Sequence, residues 1–121
     1  MSNARSELLK EYPSVITNLP EADLPFSGVK AWTLQAEEHQ LIFFEFEPSV
    51  NVPAHSHTYP QWGILVQGKM NLTIDNKTKI ITDGQEYLIP AQAKHAAKFL
   101  AKTRVIDFFS EKTRYKIKSA K

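Results

Sequence analysis

The chain contains no cysteine. Disulfides, thiolate nucleophiles and sulfur metal ligands are therefore excluded, and any bound metal must sit on nitrogen and oxygen. Glycine is scarce, at 4 of 121 residues. No apolar run approaches the length of a membrane span. The segment from Met1 to Glu11 is polar and mixed in charge, with no apolar signal core, so a cytoplasmic protein is expected. Charge of either sign is in small excess only, 15 − 13 = 2 in favour of Lys and Arg. That balance gives no footprint for nucleic acid or membrane. What remains is ordinary globular composition, 42% hydrophobic and 23% charged, at a length that suits one core.

The pattern predicts three stretches. Residues 1–28 read as an N-terminal helix, Ser6–Glu11, followed by an extended Pro-rich arm. Residues 29–111 read as short strands: Val29–Leu34, Leu41–Phe46, Gly63–Val66, Met70–Ile74, Lys79–Ile81, Tyr87–Ile89, His95–Leu100 and Arg104–Phe109. Turn residues separate them, including Gln67-Gly68-Lys69, Asp75-Asn76-Lys77 and Asp83-Gly84-Gln85. Residues 112–121 read as a basic, solvated tail. Evenly spaced short strands with few helical windows argue for an all-β antiparallel sandwich or barrel. The run LIFFEF, nearly continuous in apolar residues, reads as a strand covered on both faces.

Two of the four histidines stand within AHSHTYPQWG, at His55 and His57. Strand parity aims both rings to one face, and Gln61 shares that parity. His95 opens a later strand. Three neutral imidazoles and an amide oxygen suit a borderline divalent ion. Alone, however, a His-x-His pair is more often surface polarity than a metal site.

The wider pattern is His55-x-His57-x3-Gln61-x6-Gly68, then Gly84-x5-Pro90-x-Gln92-x2-His95. It resembles the two motifs of the cupin superfamily, G-x5-H-x-H-x3,4-E-x6-G and G-x5-P-x-G-x2-H-x3-N. The resemblance implies a single-domain jelly-roll β-barrel with one divalent metal ion, Zn, Ni, Fe, Mn or Co. It implies His55, His57, Gln61 and His95 as ligands. It also suggests a homodimer. Four positions depart from the motifs. Ser49 and Gln92 replace glycines, Gln61 replaces glutamate and Phe99 replaces asparagine.

Gln61 leaves about the full double charge on a bound ion and cannot act as a base. An anionic small-molecule substrate is then expected, such as a hydroxy acid, keto acid or uronate. Alternation along VIDFFSEKTRY puts Asp107 among Val105 and Phe109. Its functional reading is a general acid/base raised in pKa by burial. Its other reading is an ion pair with Arg104 or Arg114, or a hydrogen bond that fixes the strand. Arg114 reads as a carboxylate clamp or as one surface charge of the tail. Tyr59, Trp62, Phe99 and Phe109 read as pocket lining or as core, and His39 as surface turn. The set His-x-His, Gln, His with Asp107-Phe108-Phe109-Ser110 is similar to small cupins that linearise unsaturated uronates. The expected function is a metal-dependent lyase or isomerase on a small sugar-acid-like substrate. An Fe(II) dioxygenase and a non-catalytic binding module are the alternatives.

Overall fold

The computed structural model describes residues 11–118. Among these residues, eleven strands form three antiparallel sheets. They are β1 (Ala22–Asp23), β2 (Val29–Gln35), β3 (Gln40–Phe46), β4 (Asn51–His55), β5 (Gln61–Gln67), β6 (Lys69–Ile74), β7 (Lys77–Thr82), β8 (Glu86–Ile89), β9 (His95–Phe99), β10 (Thr103–Phe109) and β11 (Lys116–Ile117). One sheet orders β2-β3-β10-β5-β8, the second β4-β9-β6-β7, and the third pairs β1 with β11. Their inner faces share one core, with Ile42, Phe44, Leu65 and Val105 from the first sheet and Met70, Leu72 and Phe99 from the second. Phe46 and Phe99 stack across it at 3.8 Å between centroids. The closed barrel expected from the sequence is not formed by hydrogen bonding: the two large sheets remain separate ladders.

Period-two burial explains most strands. In β3, Gln40, Ile42, Phe44 and Phe46 are buried, while Leu41, Phe43 and Glu45 are half-buried. The outer cover is therefore partial. It comes from Tyr12, which packs edge-to-face on Trp32 and Phe43. β4 escapes the sequence pattern because Pro53 interrupts it. It is an edge strand with an irregular register around that residue, where a missing N–H is tolerated.

Two expectations for the ends are corrected. Within the arm expected to be extended, Ser14–Thr17 form one helical turn, α1. Pro13 supplies a φ of −63° just ahead of it, suited to a helix start. The helix expected at Ser6–Glu11 falls outside the described residues but for Glu11. Lys116 and Ile117, read as solvated tail, instead pair with β1. No helix among the described residues is long and apolar enough to cross a membrane.

The turns account for the missing glycines. Asp75 and Asn76 both have positive φ, as a two-residue type I′ hairpin between β6 and β7 requires. Gly68 has φ +125°, and a Cβ there would run into the backbone of Lys102 and Thr103. Ser49 and Gln92 keep positive φ, 74° and 72°, where the motifs place glycine. A left-handed side-chain-bearing residue costs roughly 1–2 kcal/mol, part of which glycine returns as unfolded-state entropy. Ser49→Gly and Gln92→Gly should therefore each raise stability by up to about 1 kcal/mol. The check is a higher urea midpoint at unchanged slope; an unchanged or lower midpoint would show that these turns carry no strain.

Candidate metal centre

Backbone pairing brings the sequence-distant histidines together. His55 ends β4 and His95 begins β9, and the two are direct partners in the ladder. His57 follows two residues on, and its carbonyl accepts from the Gln92 N–H at 2.7 Å. Gln61 opens β5 with its side chain inward. Ring centroids lie 4.2 Å apart for His55 and His95 and 4.9 Å for His57 and His95. One ring nitrogen from each histidine falls within 4.8 Å of the others.

The tautomers follow from the neighbours. His55 Nδ1 lies 3.0 Å from the Pro53 carbonyl, His95 Nδ1 2.9 Å from Ala93 O, and His57 Nδ1 2.7 Å from Tyr59 O. A carbonyl only accepts, so each Nδ1 carries the proton and each neutral ring turns an Nε2 lone pair to the centre. His57 Nε2 then faces Gln61 Oε1 at 3.1 Å, acceptor against acceptor unless a proton or cation lies between them. His95 Nε2 is buried without a hydrogen-bond partner. Burial lowers the His95 pKa to about 4, against the pull of the Ala93 carbonyl, and His55 and His57 add to the lowering. Burial also lowers His57. These features fit a divalent cation: imidazole nitrogens clustered within 4.8 Å, each ring oriented by a backbone carbonyl, around a buried and unsatisfied His95 Nε2.

Beside this centre lies a buried acid. Asp107 Oδ1 accepts from the Tyr87 hydroxyl at 2.7 Å. Burial raises the Asp107 pKa to about 7, while hydrogen bonds from Tyr87 and Gln61 hold it from rising further. Gln61 thus spans the site, its oxygen toward His57 and its amide toward Asp107. Gly63 makes room for the pair, since a Cβ there would collide with Asp107 Oδ1 and the Tyr87 ring. Asp107 has no ion pair with Arg104. That guanidinium bonds Glu45 at 2.8 Å and Gln67 at 3.1 Å, a separate buried cluster.

The C-terminal segment closes over the same cavity. Buried Gln40 acts as a substitute backbone: its Nε2 donates to Tyr115 O at 2.9 Å and its Oε1 accepts from Tyr115 N at 3.0 Å. Arg114 is thereby laid over Tyr115, 4.8 Å from the ring, and over Phe109, 5.8 Å from the ring. Its Nε is buried with no hydrogen-bond partner among the described residues. His55, Gln61, His95, Tyr87, Asp107 and Arg114 all line one cavity of about 60 Å³. Its remaining wall is chiefly aromatic and aliphatic, with Phe44, Phe46, Phe99, Phe109 and Val105 among its members.

The sequence-derived pocket set divides. Phe99 and Phe109 line the cavity. Tyr59 stacks flat on His57 at 4.4 Å. Trp62 is a correction: neighbouring Gln61 and Gly63 are buried, so parity turns Trp62 out, 44% exposed and against Phe108. His39 sits in its turn but stacks on Phe108 at 5.0 Å. Sequence reasoning missed Tyr87, Gly63, Gln40 and Tyr115. Only Gln40, a polar residue heading an apolar strand, carried a local signal.

Residues 42–109 match the family model described as Cupin domain, and the chain belongs to that family. No curated protein matches it. A RmlC-like cupin from Shewanella frigidimarina has a similar fold, with a TM-score of 0.71 at 22% identity, over 80% of this chain and 87% of that one. KdgF from Halomonas sp. gives 0.68 at 16%, over 76% and 87%. An oxalate decarboxylase variant from Bacillus subtilis gives 0.70 at 14%, over 81% and 29%. At these identities the likeness is one of fold.

Two predictions follow from the donor geometry and the titrations. Titrating metal-free protein with Zn²⁺ or Ni²⁺ should raise its melting temperature, by the equivalent of about 2.7 kcal/mol at a hundredfold excess over Kd. His57→Ala and His95→Ala should lose that response; an equal response in both would remove the centre. The second concerns pH in the metal-free protein. Asp107 ordinarily titrates at 3.8 but near 7 in the fold, so its contribution to stability is lost as pH rises through that window. His95 ordinarily titrates at 6.5 but near 4 in the fold, so its contribution is lost as pH falls between those values. The slopes oppose each other. Asp107→Asn should leave the histidine slope alone, so its stability climbs more steeply than wild type from pH 4 to 6.5. Parallel urea titrations across that range check this, and identical profiles would refute it.

Proposed function

We propose that His55, His57, His95 and Gln61 hold one divalent metal ion, and that the chain is a metal-dependent lyase or isomerase of a small anionic substrate. The observation that carries this reading is the clustering of one ring nitrogen each from His55, His57 and His95 beside a cavity lined by His55, His95, a buried acid and an arginine with an unsatisfied N–H. A bound ion would supply Lewis acidity toward a substrate oxygen, undiminished by any carboxylate ligand.

The chain's own groups supply the rest. Arg114, with its free Nε and its ring contacts, binds and orients a carboxylate. Asp107, near neutral in its titration, holds or moves a proton, and the Tyr87 hydroxyl fixes its orientation. The aromatic wall excludes water.

Cavity size and lining narrow the substrate class. A space of about 60 Å³ walled by phenylalanines offers few partners for a string of hydroxyls. A short carboxylic acid with an apolar end fits it better than a polyhydroxylated sugar acid. The uronate reading therefore rests on the ligand pattern and Asp107 alone. The dioxygenase reading uses the same three histidines but leaves Asp107 and Arg114 without a part.

Elemental analysis of protein purified without added metal should find one divalent ion per chain. A panel of short hydroxy, keto and unsaturated acids should then give turnover that Asp107→Asn lowers by about 100-fold or more with its metal retained. Full activity in that variant would sink the assignment of Asp107, and protein that neither holds nor takes up metal would sink the whole reading.

A further inference from the structure

The main chain leaves β10 at Phe109 and enters β11 at Lys116, and residues 110–115 between them form a strap. Arg114 and Tyr115, on the strap, line the cavity. They also line an outer recess of about 200 Å³, and so do Phe26, Val52 and His55. All of these residues border both spaces, so they partition the cavity from the recess. Val52 and His55 belong to β4, whereas Phe26, Arg114 and Tyr115 stand outside the strands. The strap is tied down by side-chain amides. Ladder pairing sets Gln40 between Gln35 of β2 and Phe109 of β10. Gln40 gives one N–H to Gln35 Oε1 at 2.9 Å and the other to Tyr115 O at 2.9 Å. Its Oε1 accepts the Tyr115 N–H at 3.0 Å. Gln35 Nε2 in turn donates to Lys112 O at 2.8 Å.

We propose that Gln40, braced by Gln35, is a positioning residue for Arg114. The amide pair latches the strap, and a small acid reaches the cavity from the recess when the latch releases. This role rests on the reading of Arg114 as the partner of the substrate carboxylate. Gln40 is 1% exposed, on the face where β3 otherwise presents Ile42, Phe44 and Phe46. A buried amide costs free energy unless each donor and acceptor is met, and an apolar side chain would fill the slot without that demand. What the amide adds is direction. By bonding both the N–H and the carbonyl of Tyr115 it holds that residue as a neighbouring strand would. It thereby sets where Arg114, one residue earlier, enters the cavity wall. The hold is a few bonds to one residue rather than a ladder, so the strap can part from β3 with both large sheets intact. Beyond the strap, β11 is held by two ladder pairs with β1. Parting withdraws Arg114 and Tyr115 from the partition. It joins a cavity of about 60 Å³ to the larger recess, which gives a short acid both a way in and room.

Hydrogen exchange read by mass spectrometry tests the latch. Calorimetric titration with crotonate, a short unsaturated acid, tests its effect on binding. Gln40→Met keeps an unbranched side chain and removes the amide. It should speed exchange across residues 110–115 by about tenfold or more, with β5 and β6 unchanged. It should also weaken crotonate binding by about tenfold, as Arg114→Ala does. In Arg114→Ala protein, Gln40→Met should cost nothing more, because the two act through one contact. Gln35→Ala, at an exposed position, should give a smaller effect of the same kind. It reads the latch if circular dichroism finds Gln40→Met unfolded. Unchanged exchange in the strap overturns the latch. So does full crotonate affinity in Gln40→Met where Arg114→Ala has lost it, or a loss in the double variant that sums the two. Equal binding, or none, in wild type and Arg114→Ala overturns instead the reading of Arg114, and the positioning role falls with it.

Discussion

Direct pairing of His55 with His95 across the β4–β9 ladder is the constraint on which the centre depends. Ladder partners sit a few ångströms apart on one face, so two imidazoles meet without any loop having to be ordered for them. Each ring is then fixed by an Nδ1–H bond to a carbonyl two residues away in sequence. His57 repeats the device with the carbonyl of Tyr59. The rotamer and the tautomer are thus both set by local backbone, and the sheet only has to bring the backbones together. Such a centre is organised by the backbone alone, with the His57 Nε2 facing the Gln61 Oε1.

Gln61 is best understood through Asp107. Its amide reaches toward both His57 and the Asp107 carboxyl. A glutamate here would set two carboxylates against each other in a buried space, and one would have to keep its proton. An amide avoids that conflict and donates to the acid it faces. The substitution that leaves the centre without a carboxylate is therefore the one that lets a second acid stand beside it. Gly63 belongs to the same arrangement, because the space for Tyr87 and Asp107 exists only where β5 carries no side chain.

The legible parts of the molecule were those governed by period two or by spacing. Burial of Val105, Asp107 and Phe109, with Ile106 and Phe108 on the other side, follows from alternation alone. So does the inward aim of Gln61, and the same parity ought to have placed Trp62 outside. The choice between the readings of Asp107 was not legible. One of them, an ion pair with Arg104, turned on that residue's cross-strand partners, which include Glu45 and Gln67. Tyr87 and Tyr115 were invisible for a related reason. Each reaches the cavity through a contact with a residue at least 20 positions away, as with Asp107 at 20 and Gln40 at 75. β11 was hidden because two paired residues in a basic stretch leave no periodic trace.

Strand β10 joins these observations. Its inner side chains, Val105, Asp107 and Phe109, line the cavity; its outer ones, Ile106 and Phe108, align with Ile64 and Trp62 on the opposite face of the sheet. A strand with demands on both faces cannot shift register by one residue without putting Phe108 into the cavity and Asp107 onto the outer face. Pairing with β3 on one side holds that register at seven positions, and pairing with β5 on the other holds it at five, from Val105 to Phe109, after a shift at Arg104. The largely apolar character of VIDFF thus has two sources, and the single carboxylate within it marks the face that lines the cavity.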